Sequence, residues 1–498
     1  MEYNIGSCLF FFITFAEKKM KPYKIVIFIL FVFSLLAAIC AVFPQDGVQI
    51  GTKTFKFPSL NEVFAVEQES TIDINANVEL LKAQTDVSGK NSILDSLSFY
   101  RNYVRNNVAR IYFPKDNYKY YDTLFAVFER AKTENKTVHI LHYGDSQIEM
   151  DRITSLFRHE LQQKFGGQGV GMLPAIQTIP TFTVRQTYSG ALSRYVVYGD
   201  TSQPRASHKR YGLLANLGQV CGQANVSVSA YNTERTYRNT QNFSRVVLLL
   251  GNNGNNFSAT CMGKQRSIAS AYKGVSRLEW TSDKPINKTT VSLNGTAEIY
   301  ALSVEGTSGV CVTNVPMRGC SGTIFTRMDS STLANAYQTM NVKLIILQYG
   351  GNMMPQINSQ KAIDAYMERL AKQIKFIQHC NPQAKILFIG PSDMSKRING
   401  KMQTYPYLPD MNEALKKTAL ANGAAYWDMF HVMGGENSMV SWVKHSPAWA
   451  GGDYVHFTEK GANEIAQILA NSFLTHYEFY RLRKTCPKDM IDKFMKMQ

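Results

Sequence analysis

The sequence predicts an α/β fold: a three-layer α/β/α domain with a mainly parallel five-stranded sheet, interrupted by an inserted all-β module. Short apolar runs typical of buried strands recur along the chain, and helix-period patterns separate them. One long stretch rich in Thr, Ser, Asn and Tyr breaks this alternation. Strands that alternate with helices form parallel sheets covered by helices on both faces.

The predicted strands of the parallel sheet are almost wholly apolar and cover residues 137–143, 309–316, 342–349, 385–389 and 424–430. The clearest helix lies between the third and fourth of them, where Ala362, Tyr366, Leu370 and Ile374 recur at helical spacing. Further helices are expected over about 91–110 and 119–133, directly after Ser146, and from Glu459 to about Leu482.

Residues 177–305 predict the inserted module. Alternating runs such as Val226–Tyr231 are typical of strands, and Asn294-Gly295 is a strong signal for a hairpin turn. The tyrosines of this stretch and Trp280 are expected either to pack in the core of a sandwich or to form a platform on which sugars stack. The sequence leaves both alternatives open.

A chain of 498 residues is long enough for two or three folded units. The predicted organisation is an N-terminal extension and signal anchor (1–44), a tether and helical lead-in (45–135), the first part of the α/β domain (136–176), a β-sandwich-like insertion (177–305), the second part of the α/β domain (306–482) and a C-terminal tail (483–498).

The amino-terminal region carries a targeting signal. Residues 25–43 are almost entirely apolar and follow the basic residues Lys18, Lys19, Lys21 and Lys24. A segment of this length spans a bilayer, and its basic flank stays on the cytoplasmic side. We expect an uncleaved anchor that holds the chain on the extracytoplasmic (periplasmic) side of a cell envelope. Cleavage with secretion, or lipidation at Cys40, is the alternative, although both sites match poorly.

Composition argues against several classes of function. The net charge of +16 is not concentrated in a Lys/Arg-rich run with interleaved aromatic residues, so nucleic-acid binding is not expected. The excess of Lys and Arg is explained either by basic residues scattered over the surface of a large protein or by a surface that attracts an anionic envelope polymer. The eight cysteines lack metal-site spacing, so no metal or other cofactor is expected. Cys311 and Cys320 are either a disulfide or two buried thiols.

A candidate nucleophile lies in Gly144-Asp145-Ser146, between a predicted strand and a predicted helix. A serine at the amino end of a helix has an exposed hydroxyl, and free backbone amides stabilise negative charge there. Helix capping uses the same residue types, so the motif alone decides nothing.

A candidate base and its partner lie near the carboxyl end, in Asp453-Tyr-Val-His456. A serine hydroxyl is a weak nucleophile until a base removes its proton, and the base needs a partner that orients it. Asp453 can hydrogen-bond Nδ1 of His456, which leaves Nε2 for Ser146.

Four separated blocks resemble those of the SGNH/GDSL hydrolase superfamily, in the same order. They are Gly144-Asp145-Ser146, Asn314-Val-Pro-Met-Arg-Gly319, Gly350-Gly-Asn352-Met353 and Asp453-x-x-His456. The resemblance covers residues 136–175 and 306–480. Met353 departs from the aspartate usual in the third block. A second glycine, Gly322, follows the second block, and Gly319 is chosen on spacing.

The resemblance implies the three-layer, flavodoxin-like SGNH fold and assigns roles to individual residues. Ser146, Asp453 and His456 are the expected catalytic residues. The backbone amides of Ser146 and Gly319 and the side chain of Asn352 are the expected oxyanion donors. Asp151-Arg152 is expected to be a structural ion pair near the site.

The longer runs His142–Glu149 and Phe165–Gly171, with the β-rich insertion, are similar to exported envelope esterases that include peptidoglycan O-acetylesterases. The implied function is removal of O-acetyl groups from a cell-envelope or other polysaccharide. The expected partners are an acetylated glycan and, through residues 25–43, a membrane. The alternatives are a membrane-anchored polysaccharide O-acyltransferase with the same site and a glycan-binding protein without catalysis.

Overall fold

The computed structural model describes residues 21–44, 47–50, 53–55, 57–58, 73–83 and 92–496. The chain divides into two units, Met1–Ser70 and Thr71–Gln498. In the first unit, helix α1 (Pro22–Val42) precedes an antiparallel pair, β1 (Val48–Ile50) and β2 (Lys53–Phe55). Helix α1 is long and apolar enough to cross a membrane, and a signal sequence has the same properties. Most of the predicted tether, together with Lys18 and Lys19, lies outside the described residues.

The helices of the second unit, numbered in chain order, are α2 (Ile74–Ala83), α3 (Ile93–Asn106), α4 (Asp122–Thr133), α5 (Arg152–Phe165), α6 (Ser330–Thr339), α7 (Gln360–Cys380), α8 (Leu408–Ala421), α9 (Met429–Val432), α10 (Ser438–Lys444), α11 (Glu459–Thr485) and α12 (Lys488–Lys496).

The strands of the second unit are β3 (Ile111–Tyr112), β4 (Thr137–Gly144), β5 (Gly171–Leu173), β6 (Val184–Val196), β7 (Asn216–Ala230), β8 (Phe243–Asn253), β9 (Phe257–Cys261), β10 (Lys264–Ile268), β11 (Ser276–Ile286), β12 (Lys288–Glu305), β13 (Gly309–Pro316), β14 (Val342–Gln348), β15 (Lys385–Ile389), β16 (Ser395–Ile398), β17 (Lys401–Thr404) and β18 (Ala425–Trp427).

The main sheet has six strands in the order β13-β4-β14-β15-β18-β3. The first five are parallel, and they correspond to the five predicted strands. The sixth, β3, pairs antiparallel with β18 and was not predicted, because two residues are too few to show a strand pattern. The predicted α/β class with a mainly parallel sheet is therefore confirmed, with one short antiparallel edge strand added.

Strand β4 lies inside the sheet, and all eight of its residues are buried. Successive side chains of a strand point to opposite faces. Val138 and Ile140 accordingly join the core beneath α4, α5 and α11, whereas Leu141 and Tyr143 join the core beneath α6, α7 and α8. Each fully buried aliphatic or aromatic side chain stabilises the fold by about 1.5–3 kcal/mol. Burial on both faces explains why the strand reads as a continuous apolar run.

Strands β5 to β12 form a separate eight-stranded sheet that is antiparallel throughout. Its longest strand, β12, pairs with β5, β7, β8 and β9 along different parts of its 18 residues. The antiparallel sheet also packs against the main sheet, since Leu249 and Tyr300 share a hydrophobic core with β4.

The predicted hairpin turn at Asn294-Gly295 is wrong. Asn294 lies within β12, opposite Gln223 on one side and Ser258 on the other. Gly295 has a φ of +106°, which a bulged strand accommodates, and the register shifts just beyond it. Backbone pairing on both edges of the strand outweighs the local preference of Asn-Gly for a turn.

The structure resolves the alternatives left open for Trp280 and for the two cysteines, whereas Tyr188 and Tyr272 of the module are exposed. Trp280 is buried in the antiparallel module, and its Nε1 donates to the Lys264 carbonyl at 2.7 Å, so its indole belongs to the core and is closed to sugar stacking. Cys311 and Cys320 are separate buried thiols.

Gly167, after α5, offers a test of the fold. Its φ is +124°, and an added Cβ would lie 2.1 Å from the carbonyl oxygen of Val310. Gly167→Ala should therefore lower the free energy of unfolding by about 3 kcal/mol, from backbone strain together with the clash. Gly400→Ala is the matched control, since its φ is +86° but nothing lies within 4 Å of the new Cβ. It should cost about 1 kcal/mol. Urea unfolding of the two variants measures the difference, and equal losses would contradict the packing described.

Candidate active site

The candidate nucleophile follows the carboxyl end of β4. Asp145 Oδ1 accepts a hydrogen bond from the Gln147 backbone N–H at 2.9 Å and so caps a 3-10 helix, Ser146–Asp151, that leads into α5. A Cβ at Gly144 would lie 2.9 Å from the Ile148 Cδ1 and 3.3 Å from the Gln348 carbonyl oxygen, so a side chain there would require Ile148 to shift. Capping is thus performed by Asp145, and the Ser146 hydroxyl is available for another partner.

The structure brings the three predicted catalytic residues together. Ser146 Oγ lies 2.7 Å from His456 Nε2, and His456 Nδ1 lies 2.7 Å from Asp453 Oδ2. Asp453 Oδ1 accepts hydrogen bonds from the backbone N–H groups of Val455 and His456, each at 3.0 Å. The carboxylate is therefore fixed by its own loop before it contacts the imidazole.

Charge on Asp453 is favoured by this geometry. Burial alone would raise its pKa, but the hydrogen bonds from the His456 ring and from the backbone N–H groups of His456 and Val455 hold the pKa below its ordinary value. An ionised Asp453 favours the tautomer with hydrogen on Nδ1 of His456. Nε2 then faces the Ser146 hydroxyl as a proton acceptor.

Of the predicted oxyanion donors, Ser146 and Asn352 line one cavity. Asn352 Nδ2 donates to Asp145 Oδ2 at 3.0 Å and to the Cys320 carbonyl at 3.2 Å, so the turn that contains Gly319 lies against the Asn352 side chain. In the described part of the chain, no protein group accepts a hydrogen bond from the Gly319 N–H. Gly322 has a packing role instead, because a Cβ there would lie 2.7 Å from the Tyr349 ring.

Asp145 is an unusual carboxyl group beside the nucleophile. Burial raises its pKa to about 6, although the Gln147 N–H, the charge of His456 and the Asn352 amide each reduce the rise. Its hydrogen bond with Asn352 therefore involves a carboxylate above about pH 6 and a carboxylic acid below it. In both protonation states the hydrogen bond between Asp145 and Asn352 links the Gly144-Asp145-Ser146 segment to the turn that contains Asn352.

Gln147, which the sequence did not single out, and Arg152, for which it predicted a different contact, hold the loop of His456 to the segment that follows Ser146. Gln147 Nε2 donates to the Val455 carbonyl at 2.5 Å, and Gln147 Oε1 accepts from the Phe457 N–H at 3.3 Å. Arg152 Nη1 donates to the Phe457 carbonyl at 2.9 Å, and its Nη2 donates to the Ser146 carbonyl. Both neighbours of His456 are thus bonded to residues that follow Ser146.

The predicted Asp151–Arg152 ion pair is wrong. Asp151 makes two hydrogen bonds with Arg158, at 2.7 and 2.9 Å, whereas Arg152 donates to backbone carbonyls. Adjacent side chains at a helix start point in different directions. Asp151 therefore faces the buried side of α5, and Arg152 faces the loop of His456.

A cavity of about 220 Å³ gives access to the site. Its lining includes Ser146, Asn352 and His456 together with the aromatic ring of Tyr405 and the side chain of Met394. The cavity lies at the carboxyl ends of β4, β14 and β15, which is where parallel α/β sheets bind their ligands.

Substitution of Arg152 tests whether its contacts with the loop of His456 position Ser146 and His456 relative to each other. Arg152→Met keeps the length of the side chain but removes its bonds to the Ser146 and Phe457 carbonyls. We expect kcat for an acetyl ester to fall about 100-fold with little change in KM, because small displacements of reacting groups cost rate. Arg481→Met is the control, as Arg481 is an exposed surface residue. Wild-type kcat in Arg152→Met would contradict the positioning role.

Comparisons with known proteins find one matching family and several similar structures. Residues 291–463 match the GDSL-like lipase/acylhydrolase family. The chain is similar to a solved structure described as "Peptidoglycan O-acetylesterase in action, 5 min", with 20% identity over 73% of this chain and 96% of that chain and a TM-score of 0.59. A family two carbohydrate esterase from Cellvibrio japonicus shows 11% identity over 59% of this chain and 99% of that chain, with a TM-score of 0.23.

No curated protein sequence matches the chain significantly. The family match contains three of the four blocks, and the fold of the remaining segment places the first block beside them. Residues 291–463 are thus similar to the GDSL-like lipase/acylhydrolase family, and the fold brings the first block to the same edge of the sheet.

Proposed function

We propose that the chain is an exported serine esterase that removes O-acetyl groups from a cell-envelope or other polysaccharide through a Ser-His-Asp acyl-enzyme mechanism. The observation that carries the proposal is the contact of 2.7 Å between Ser146 Oγ and His456 Nε2, with Asp453 bonded to the far side of the imidazole. The arrangement pairs a nucleophile with a base and the base with an orienting acid.

The first half-reaction forms the acyl-enzyme. His456 Nε2 takes the proton of Ser146 as Oγ attacks the ester carbonyl carbon, and Asp453 stabilises the resulting imidazolium. When the tetrahedral intermediate collapses, His456 returns the proton to the departing sugar oxygen. In the second half-reaction His456 removes a proton from water as the water oxygen attacks the acetyl carbon, and it returns that proton to Ser146 Oγ when the ester bond breaks and acetate leaves.

Negative charge on the substrate oxygen is stabilised by the backbone amides of Ser146 and Gly319 and by the Asn352 side chain. Each such donor lowers the barrier by about 3 kcal/mol. The unbonded N–H of Gly319 supports this role. Asn352 Nδ2 donates to Asp145 and to the Cys320 carbonyl in the free protein, so donation to the substrate oxygen exchanges one of these two bonds.

Substrate class and location follow from two supporting observations. The similar structure described as a peptidoglycan O-acetylesterase favours an acetylated glycan of the envelope, and its fold is shared along 96% of its length. Helix α1, preceded by Lys21, favours anchoring in a membrane with the hydrolase domain on the extracytoplasmic side.

Removal of either the nucleophile or the base tests the mechanism. Ser146→Ala and His456→Ala in the full chain should each lower kcat for a chromogenic acetyl ester by about 10⁴-fold or more. Ser189→Ala, at an exposed serine of the antiparallel sheet, should leave kcat unchanged. An unaltered rate in Ser146→Ala would overturn the assignment of the nucleophile.

Asp453→Asn preserves the size of the side chain but removes its charge. The amide no longer favours hydrogen on Nδ1 of His456, so kcat should fall by about 10³–10⁴-fold while the free energy of unfolding changes little. Steady-state kinetics and urea unfolding measure the two effects. A fall in stability large enough to account for the lost activity would show that Asp453 acts through the fold instead.

The acceptor of the acetyl group is tested on the natural substrate class. We expect acetate release from O-acetylated peptidoglycan, with no increase in rate when unesterified oligosaccharide is added. A strong increase on addition of the oligosaccharide, with little free acetate, would identify an O-acyltransferase in place of an esterase.

A further inference from the structure

An ion pair between two of the segments that form the active site has no part in the proposed mechanism. Arg318 donates to both carboxylate oxygens of Glu149, from Nε to Oε1 at 2.8 Å and from Nη2 to Oε2 at 2.6 Å. Glu149 belongs to the 3-10 helix that begins with Ser146, and Arg318 directly precedes Gly319. The pair therefore joins the segment of the nucleophile to the segment of a proposed oxyanion donor.

The geometry of this pair differs from that of an ordinary surface salt bridge. Only 5% of the Glu149 side chain is exposed, whereas 68% of the Arg318 side chain is exposed. A buried carboxylate without a partner is costly, and two parallel N–H···O bonds to a guanidinium fix both distance and orientation. Among the described residues, no other group donates a hydrogen bond to this carboxylate. Arg318 is thus held in one place by Glu149 although it lies on the surface.

Arg318 and Gly319 are the two central residues of a β-turn. The Cys320 N–H closes the turn on the Met317 carbonyl at 3.0 Å, and the Gly319 φ of +71° is typical of the third residue of a type II turn. The N–H of that third residue takes no part in closing the turn, so it is free to face a ligand. Nothing lies within 4 Å of a Cβ built on Gly319, so packing does not hold the turn at this point.

Hydrogen bonds to other segments hold the turn instead. At its start the Met317 N–H donates to the Gly144 carbonyl at 2.8 Å, and at its end the last carbonyl accepts from Asn352 Nδ2 at 3.2 Å. Between these ends, the Arg318 side chain bonds the turn to the nucleophile segment. Since the Gly319 N–H belongs to the peptide group that follows Arg318, the direction of this N–H depends on where Arg318 is held.

The other partner, Glu149, lies where the 3-10 helix departs from helical geometry. Its ψ is 157°, and the next two residues have φ values of +60° and +71°, a strained conformation for residues other than glycine. Asn314 Nδ2 donates to the Ile148 carbonyl at 2.9 Å, and Arg152 Nε donates to the Glu149 carbonyl at 3.2 Å. The backbone on both sides of the Glu149 Cα is therefore bonded, and its carboxylate is a fixed point three residues from Ser146.

We infer that Glu149 and Arg318 are positioning residues of the oxyanion hole, which set the place and direction of the Gly319 N–H relative to Ser146. In this role neither side chain contacts the reacting atoms. A displaced donor stabilises the oxyanion less in the transition state, where the negative charge develops, and changes the affinity for the uncharged ester little. The inference rests on the proposed esterase function and adds two residues to the proposed oxyanion hole.

Arg318→Gln and Glu149→Gln each remove one charge of the pair and keep a polar side chain. In the full chain, each should lower kcat for a chromogenic acetyl ester about 30-fold and change KM by at most about twofold, since loss of a whole oxyanion donor costs about 10²–10³-fold in rate. Arg318→Lys should recover part of the rate, because an ammonium keeps the charge but cannot make two parallel bonds. The double variant should be no slower than the slower single variant.

Inhibition by a trifluoromethyl ketone separates positioning from a general loss of structure. Ser146 Oγ adds to the ketone carbon, its proton passes to His456, and the negative oxygen of the adduct occupies the oxyanion hole. The inhibition constant should rise about 30-fold in Arg318→Gln, matching the fall in kcat. Arg210→Gln is the matched control, since Arg210 is the bidentate partner of another buried glutamate, Glu298, in the antiparallel module. It should change neither kcat nor the inhibition constant.

Both arginine variants leave a buried glutamate without its partner, so urea unfolding should show similar losses of stability in both. Unchanged kcat in Arg318→Gln, or a lower kcat without weaker inhibition by the ketone, would overturn the inference. Equal loss of activity in Arg210→Gln would also overturn it, because the effect would then follow stability. If the wild-type chain hydrolyses no acetyl ester, the proposed function itself fails, which is a distinct outcome from normal wild-type turnover with unaffected Arg318 variants.

Discussion

The parallel register of β13, β4 and β14 is the constraint on which the rest of the site depends. Gly144 lies opposite Pro316 on one side and Gln348 on the other, so the segments that follow these three residues emerge at one edge of the sheet. They carry the nucleophile, the turn of Gly319 and the Asn352 side chain. Burial of β4 on both faces stabilises this register, because a shift of one residue would exchange the side chains between two differently packed cores and disrupt both.

The fourth element of the site, the loop of His456, comes from far along the chain and is joined to this edge by side chains. Gln147 and Arg152 bond the backbone on both sides of His456, and Asp145 joins the first block to Asn352. The antiparallel module adds Thr183, whose hydroxyl donates to the Asp151 carboxylate. The position of Ser146 relative to His456 and Asn352 thus depends on hydrogen bonds made by the neighbouring side chains.

The five parallel strands and the residues around Ser146 were predictable from sequence because each carries a local signal: a run of apolar residues, or a motif at fixed spacing. Features that depend on partners distant in the chain were not. Asn294-Gly295 has the local signal of a turn, yet pairing on both edges extends the strand through it. Asp151 has an adjacent arginine, yet its partner is the buried Arg158.

The central claim is that Ser146 carries the acyl group during turnover. The most direct measurement is mass spectrometry of the full chain after it is mixed with an acetyl ester and quenched in acid during turnover, followed by proteolysis. The account predicts one added acetyl group on the peptide that contains Ser146, and no such adduct in Ser146→Ala. An acetyl group trapped on another residue, or its presence at equal yield in Ser146→Ala, would contradict it.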